Sequence, residues 1–261
     1  MVNRRLATGT ARDAFRPSPI FLGLVALFVT AGVMAWQGFG NMTINILLFV
    51  IAGWLVSLSL HEYAHALVAY LNGDRSTAER GYLTLNLLKY THPILSIGLP
   101  VLFLLLGGIG LPGGAVWIDR HAIRGKVADS LISFAGPAVN VVFTIVLALP
   151  FALGANTFGH AEFWAGLAFL AFLQLTASLL NLLPIPGVDG GNILRPWLSP
   201  QWAKAFDTIA PFGMLLLFVL LFQPTVNQIF FTVVYDVSYL IGLPPSLIDA
   251  GRGLFQFWRP A

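Results

Sequence analysis

No cysteine occurs in the chain, so disulfide bonds and thiolate metal ligands are excluded from any account of its stability or chemistry. Charge is also scarce. Asp, Glu, Lys and Arg together make up 10% of the 261 residues, against about 25% in an ordinary soluble domain. Internal repeats, low-complexity tracts and linkers are missing, and no polar stretch is long enough to hold a second domain. The formal net charge of +3 is too small and too dispersed to make a nucleic-acid surface. What fills the chain instead is apolar: 57% of residues are hydrophobic and the mean hydropathy is +0.81. These values exclude a soluble globular protein and require a polytopic membrane protein.

A helix needs about 20 mostly apolar residues to cross the hydrocarbon of a bilayer. By that measure the sequence predicts helices near 19–36, 43–71, 129–153, 162–183, 209–222 and 226–243, an all-α bundle of about six spans. The first run is long for a signal-peptide core and "AGVMAWQ" offers no good cleavage site, so it is expected to remain as a helix. A further apolar run, 93–111, is broken by Gly107, Gly108 and Pro112. Lysine and arginine accumulate in short cytoplasmic loops. With six spans and both termini in the cytoplasm, all fourteen basic residues fall on that side, provided 93–111 enters and leaves on one face as a re-entrant segment. Between these elements, "GYLTLNLL" at 81–88 alternates Leu with polar residues at a strand period. It is expected to form a small β-hairpin with residues 114–118 and to offer an edge for an extended peptide.

One predicted span carries what a span rarely tolerates. "SLSLHEYAHALVAYL", residues 57–71, sets His61 and His65 one helical turn apart, on a single face, with Glu62 beside them. Ionisable groups at this depth require a partner, a cavity or an ion. An H-E-x-x-H pattern on a helix is the arrangement in which two imidazoles bind zinc and the glutamate serves as general base to a bound water. A tetrahedral site that leaves room for water needs a third protein ligand. Among the remaining intramembrane acids, Asp189 in "NLLPIPGVDGGN", 181–192, lies where prolines and glycines break a helix at the same depth as the histidines; the other reading of Asp189 is a cap on the next short helix. Asp236 has no assigned role. In "SFAGPAVNVV" Gly136 and Pro137 read as helix-packing residues, and Asn140 either holds a substrate carbonyl or makes an interhelical hydrogen bond. His92, at the mouth of the 93–111 run, is a candidate gate or second-shell group. His121 and His160 are expected to be solvated.

Together His61-Glu62-x-x-His65, Gly136-Pro137-x-x-Asn140 and Asn181-x-x-Pro184-x-x-x-Val188-Asp189-Gly190, in that order on three spans, resemble the site-2 proteases, a family of intramembrane zinc metalloproteases. The likeness covers roughly 43–192, with helices 19–36 and 209–243 as accessory additions, all within one membrane domain, 1–261. It implies one Zn²⁺ held by His61, His65 and Asp189, Glu62 as catalytic base, and Asn140 and Asn181 positioning substrate or steadying the oxyanion. It further implies cleavage of transmembrane protein substrates near the cytoplasmic face of a cell membrane. Val188 stands where the family usually has Leu. The chain has no room for the PDZ or CBS domain of many relatives, and a homo-oligomer is compatible with the reading. Metal transport and a helix-binding pseudoprotease are the alternatives.

Overall fold

A computed structural model of the chain describes residues 13–90, 98–107 and 116–258. Among them are eleven α-helices and no β-strand. α1, Pro19–Gln37, starts on Ser18, whose Oγ accepts from the Phe21 amide at 3.2 Å, and stops at Gly38 in the left-handed conformation, as Gly past a helix end commonly does. α2, Met42–Leu71, follows after a short turn and is capped by Asn41. After a one-turn α3, Ser76–Glu79, comes α4, Leu99–Gly107. α5, Lys126–Ala152, and α6, Ala161–Asn181, form an antiparallel pair. The short α7, Asp189–Leu194, leads to α8, Pro200–Ile209, α9, Gly213–Phe222, α10, Pro224–Leu240, and α11, Pro245–Phe255.

α6 is the axis of the bundle. Every residue from Trp164 to Asn181 except Leu179 is buried, because α2, α5, α10 and α11 surround it, and a helix apolar on all sides requires such enclosure. Its one fully buried amide, Gln174, accepts from Ser57 Oγ of α2 at 2.6 Å. Interhelical hydrogen bonds of this kind hold helices together where apolar burial gives no preference for protein over lipid. By length and apolarity α1, α2, α5, α6 and the run Pro200–Phe222 can each cross a membrane, and the bent pair α10–α11 adds a sixth candidate. The all-α, multi-pass architecture expected from composition is therefore present.

Contacts fix the path of the chain more closely. One end of the bundle gathers Trp36 stacked on His160, the start of α2 and the end of α5; the other gathers the Leu71 end of α2, the start of α5 and the end of α6. Gly213 abuts the Pro186 carbonyl, whereas Gly242 packs on Ala152, so α9 and α10 together carry the chain across once. α9 has 10 residues, about 15 Å, half of the hydrocarbon thickness. α11 then lies beside Thr43 and Ala161. Ser18 bonds Thr84 at the metal-site end of the bundle, and α11 packs near the start of α2 and of α6.

The expected hairpin is also corrected. Residues 82–84 and 87–89 are single 3₁₀ turns, separated by Leu85 at φ +57° and opened by Gly81 at φ +74°. Asn86 Oδ1 accepts from the Leu88 amide, a local turn that competes with strand pairing. Tyr82, Leu83, Leu85 and Leu87 are all buried, so both faces of the segment pack under α2 and no edge is free. Val116–Ile118 form no strand, and residues 114 and 115 lie outside the described residues, as do the ends of the 93–111 run. Within that run α4 spans nine described residues, Leu99–Gly107.

The chain lacks cysteine, so single cysteines test this path directly. Glu79→Cys and Ser246→Cys in intact vesicles are expected to react with an impermeant maleimide from opposite sides of the membrane. Labelling of both from the same side would refute the single α9–α10 crossing.

Candidate metal centre

His61 and His65 lie in the second half of α2 with their rings edge to face and their Nε2 atoms 3.0 Å apart. Asp189 completes a triangle: its Oδ2 is 3.3 Å from His61 Nε2 and its Oδ1 is 3.4 Å from His65 Nε2. A tetrahedral ion with ligand bonds of 2.0–2.1 Å separates its donors by about 3.3–3.4 Å, so the triangle has the size of one tetrahedral face. The tautomers explain why something must sit there. His65 Nδ1 is 2.6 Å from the carbonyl of Ile132, and a carbonyl can only accept, so Nδ1 carries a proton and, in the neutral ring, Nε2 offers a lone pair. That lone pair faces a carboxylate and a second imidazole. Acceptors converging in a buried pocket repel one another unless a cation lies between them.

The room for that cation is made by a glycine. α5 crosses α2 at Gly136, where an added Cβ would overlap Nε2 of both His65 and His61. Any side chain there fills the place of the ion.

Asp189 is brought in by the broken segment after α6. Pro184 and Pro186 end the helix, Gly187 turns the chain at φ +89°, and Asp189 opens α7 as its first residue, while the cap position is Val188, which makes no side-chain bond. The capping alternative for Asp189 therefore fails. The loop is pinned from beneath by Gly213, whose missing side chain admits the Pro186 carbonyl.

Glu62 is buried next to this triangle, with Oε1 3.9 Å from His61 Nε2. Its other oxygen accepts from the Val116 amide at 3.1 Å, which fixes the carboxylate's rotation. Both Glu62 and Asp189 open onto a cavity of about 320 Å³ whose walls include His65, Trp117, Arg120 and Ser133. The wall at 116–120 is held from behind by Asp74, whose Oδ2 accepts from the Asp119 amide at 2.8 Å. Tyr90 donates to the Ser59 carbonyl. Burial and the nearby Glu62 carboxylate push the Tyr90 hydroxyl above its usual range, so it stays a donor.

The remaining candidates separate. Asn140 Oδ1 lies 2.9 Å from His61 Nδ1. Asn181 is buried at the last turn of α6 and is not on the cavity wall. His92 lies outside the described residues. His121 is exposed as expected, whereas His160 is half-buried on Trp36. Asp236 is exposed on α10, away from the site. Sequence reasoning missed the Ile132 carbonyl and the Val116 amide, which are backbone groups without a residue signature. It also missed Asp74, for which "NGDRST" directly after α2 was a turn and capping signal.

No family model matches the chain, and no solved structure matches it. Curated relatives do. The chain is 46% identical over 255 residues to a protein of Mycolicibacterium smegmatis described as "Putative zinc metalloprotease Rip2", covering 95% of this chain and 96% of that one. It is 47% identical over 251 residues to the protein of the same description in Mycobacterium tuberculosis, with the same coverage. It is 30% identical to "Putative zinc metalloprotease YwhC" of Bacillus subtilis over 189 residues, 69% of this chain and 83% of the relative.

Gly136→Ala tests the cradle. Alanine raises helix propensity by about 0.5–1 kcal/mol over glycine, so α5 itself is not weakened. The variant is expected to lose divalent-metal binding in a chelator competition while keeping its helical content; undiminished binding would remove the triangle from consideration.

Proposed function

The chain belongs to the site-2 protease family of zinc metalloproteases, and on that premise we propose that it hydrolyses peptide bonds of membrane-protein substrates at the His61–His65–Asp189 triangle. The observation that carries the reading is the convergence of three acceptors beside a carboxylate that faces a cavity. His61, His65 and Asp189 would hold one zinc ion, and Glu62 would act on water in the cavity. When bound, zinc lowers the pKa of its water toward neutrality and polarises the scissile carbonyl. Glu62 Oε1, the oxygen not engaged by Val116, takes the proton of the attacking water and returns it to the leaving amide nitrogen. The buried position of Glu62 keeps bulk water from competing for that proton.

The carbonyls of an intact substrate helix are already hydrogen-bonded to their own chain, so the substrate backbone would enter the cavity locally unwound. Residues 82–84 and 87–89 form 3₁₀ turns with Leu83, Leu85 and Leu87 buried, so the segment is not a strand edge for the substrate.

Orientation follows from the basic residues. Arg75, Arg80, Lys89, Arg120, Arg124, Lys126, Arg195 and Lys204 all lie at the metal-site end, and Arg252 alone of the described basic residues sits on α11. By the accumulation of positive charge in the cytoplasm, the site end is cytoplasmic and α11 is on the other side. Residues 43–192 supply every group of the site, and α1 with α8–α11 braces them within one membrane domain. The three acceptors of the triangle come from one chain, and a homo-oligomer is compatible with this arrangement. Transport is not favoured, since the relatives are named for proteolysis.

Glu62→Gln separates metal binding from chemistry. The variant is expected to keep zinc and to lose roughly 10²- to 10⁴-fold in cleavage of a single-span substrate by the detergent-purified protein. Equal cleavage by both proteins would remove Glu62 from its role.

A further inference from the structure

We propose that Asn140 is a positioning residue of the metal centre, fixing the His61 ring through its side-chain oxygen, and that it does not meet the substrate. This rests on the zinc reading above, and it reverses the role that family resemblance implies for this amide.

The geometry is that of two rings held by one helix face. Ile132, Gly136 and Asn140 recur every four residues along α5 and so form a stripe. Facing them, His65 and His61 are one turn apart on α2. At one end of the stripe the Ile132 carbonyl holds His65 Nδ1 at 2.6 Å; at the other, Asn140 Oδ1 holds His61 Nδ1 at 2.9 Å. Gly136 lies between, against both Nε2 atoms. The two acceptors do the same work by different means. One is backbone and follows automatically from the helix, while the other depends on a side chain.

What Asn140 decides is which nitrogen of His61 carries the proton. With its oxygen toward Nδ1, the ring donates there and presents the Nε2 lone pair to the triangle. With the amide reversed, its NH₂ group would need an acceptor at Nδ1 and would drive the proton to Nε2, where it would point at His65 and Asp189 and block the ion. The oxygen-in orientation is therefore the metal-competent one.

The placement also speaks against a substrate contact. Asn140 is 5% exposed and does not line the cavity, whereas Ser133 and Asn192 do. An amide whose oxygen is committed to His61 Nδ1 is not free to meet a scissile carbonyl.

The experiment measures zinc affinity of the full-length chain in detergent by chromophoric chelator competition, comparing wild type with Asn140→Ala, Asn140→Asp and Asn192→Ala. Asn140→Ala is expected to weaken zinc binding roughly 10- to 100-fold. Asn140→Asp keeps an acceptor for the Nδ1 proton and is expected to bind within about threefold of wild type, which shows that the acceptor, and not folding, is what alanine removes. Asn192→Ala, on the cavity wall, leaves zinc affinity unchanged. Wild-type affinity in Asn140→Ala, with cleavage reduced, would return the amide to the substrate and overturn the inference alone. Equal weakening in the alanine and aspartate variants would reduce Asn140 to packing and overturn it as well. A wild-type chain that holds no zinc would overturn the metal reading beneath it.

Discussion

Two imidazole nitrogens and a carboxylate face one another across little more than 3 Å in the interior of an apolar bundle. Without a cation this is a repulsive arrangement of lone pairs, and much of the surrounding structure serves to hold it in place. α2 supplies both rings on one face. α5 approaches at a glycine, locks the rings from behind and leaves the centre vacant for an ion. The proline-broken segment after α6 swings the carboxylate in, and α9 supports that segment from beneath through Gly213. Each partner restricts the others, so the site is assembled by helix packing and not by a mobile loop.

Much of this was legible in the residue order. The period of apolar runs gave α1, α2, α5 and α6 within a few residues, because a span's length is dictated by the bilayer and its composition is nearly free of charge. The three motifs gave the triangle because His and Asp are costly in lipid and stand out against it. Legibility failed where backbone conformation, and not side-chain chemistry, decides the outcome. Alternating leucines in 81–88 looked like a strand, yet Leu85 adopts a left-handed backbone and both faces of the segment are buried. The run at 209–222 lies within the apolar stretch Pro200–Phe222, yet a 3₁₀ turn at Ala210–Phe212 divides it into α8 and α9. The Ile132 carbonyl and Val116 amide have no signature at all.

α6 shows how the two kinds of information meet. Its sequence is apolar almost throughout, which fits a lipid-exposed span as well as a central one. The amide of Gln174, two turns before Asn181 and bonded to Ser57, marks it as interior, as do buried Thr176 and Ser178. Polar atoms in such helices report which surface faces protein, since lipid offers them nothing. The same logic places Thr144 and Asn140 on the inner face of α5.

The length of α2 sets the site's position. Its 30 residues extend about 45 Å, while the hydrocarbon layer is about 30 Å thick. Measured from Met42, that thickness is used up after about 20 residues, beside Glu62. The reacting groups sit about two thirds of the way along the helix and are buried there, so the excess length of α2 lets one unbroken helix both brace the far end of the bundle and carry the imidazole pair. A change in the length of α2 would therefore move the site relative to the lipid without altering its geometry.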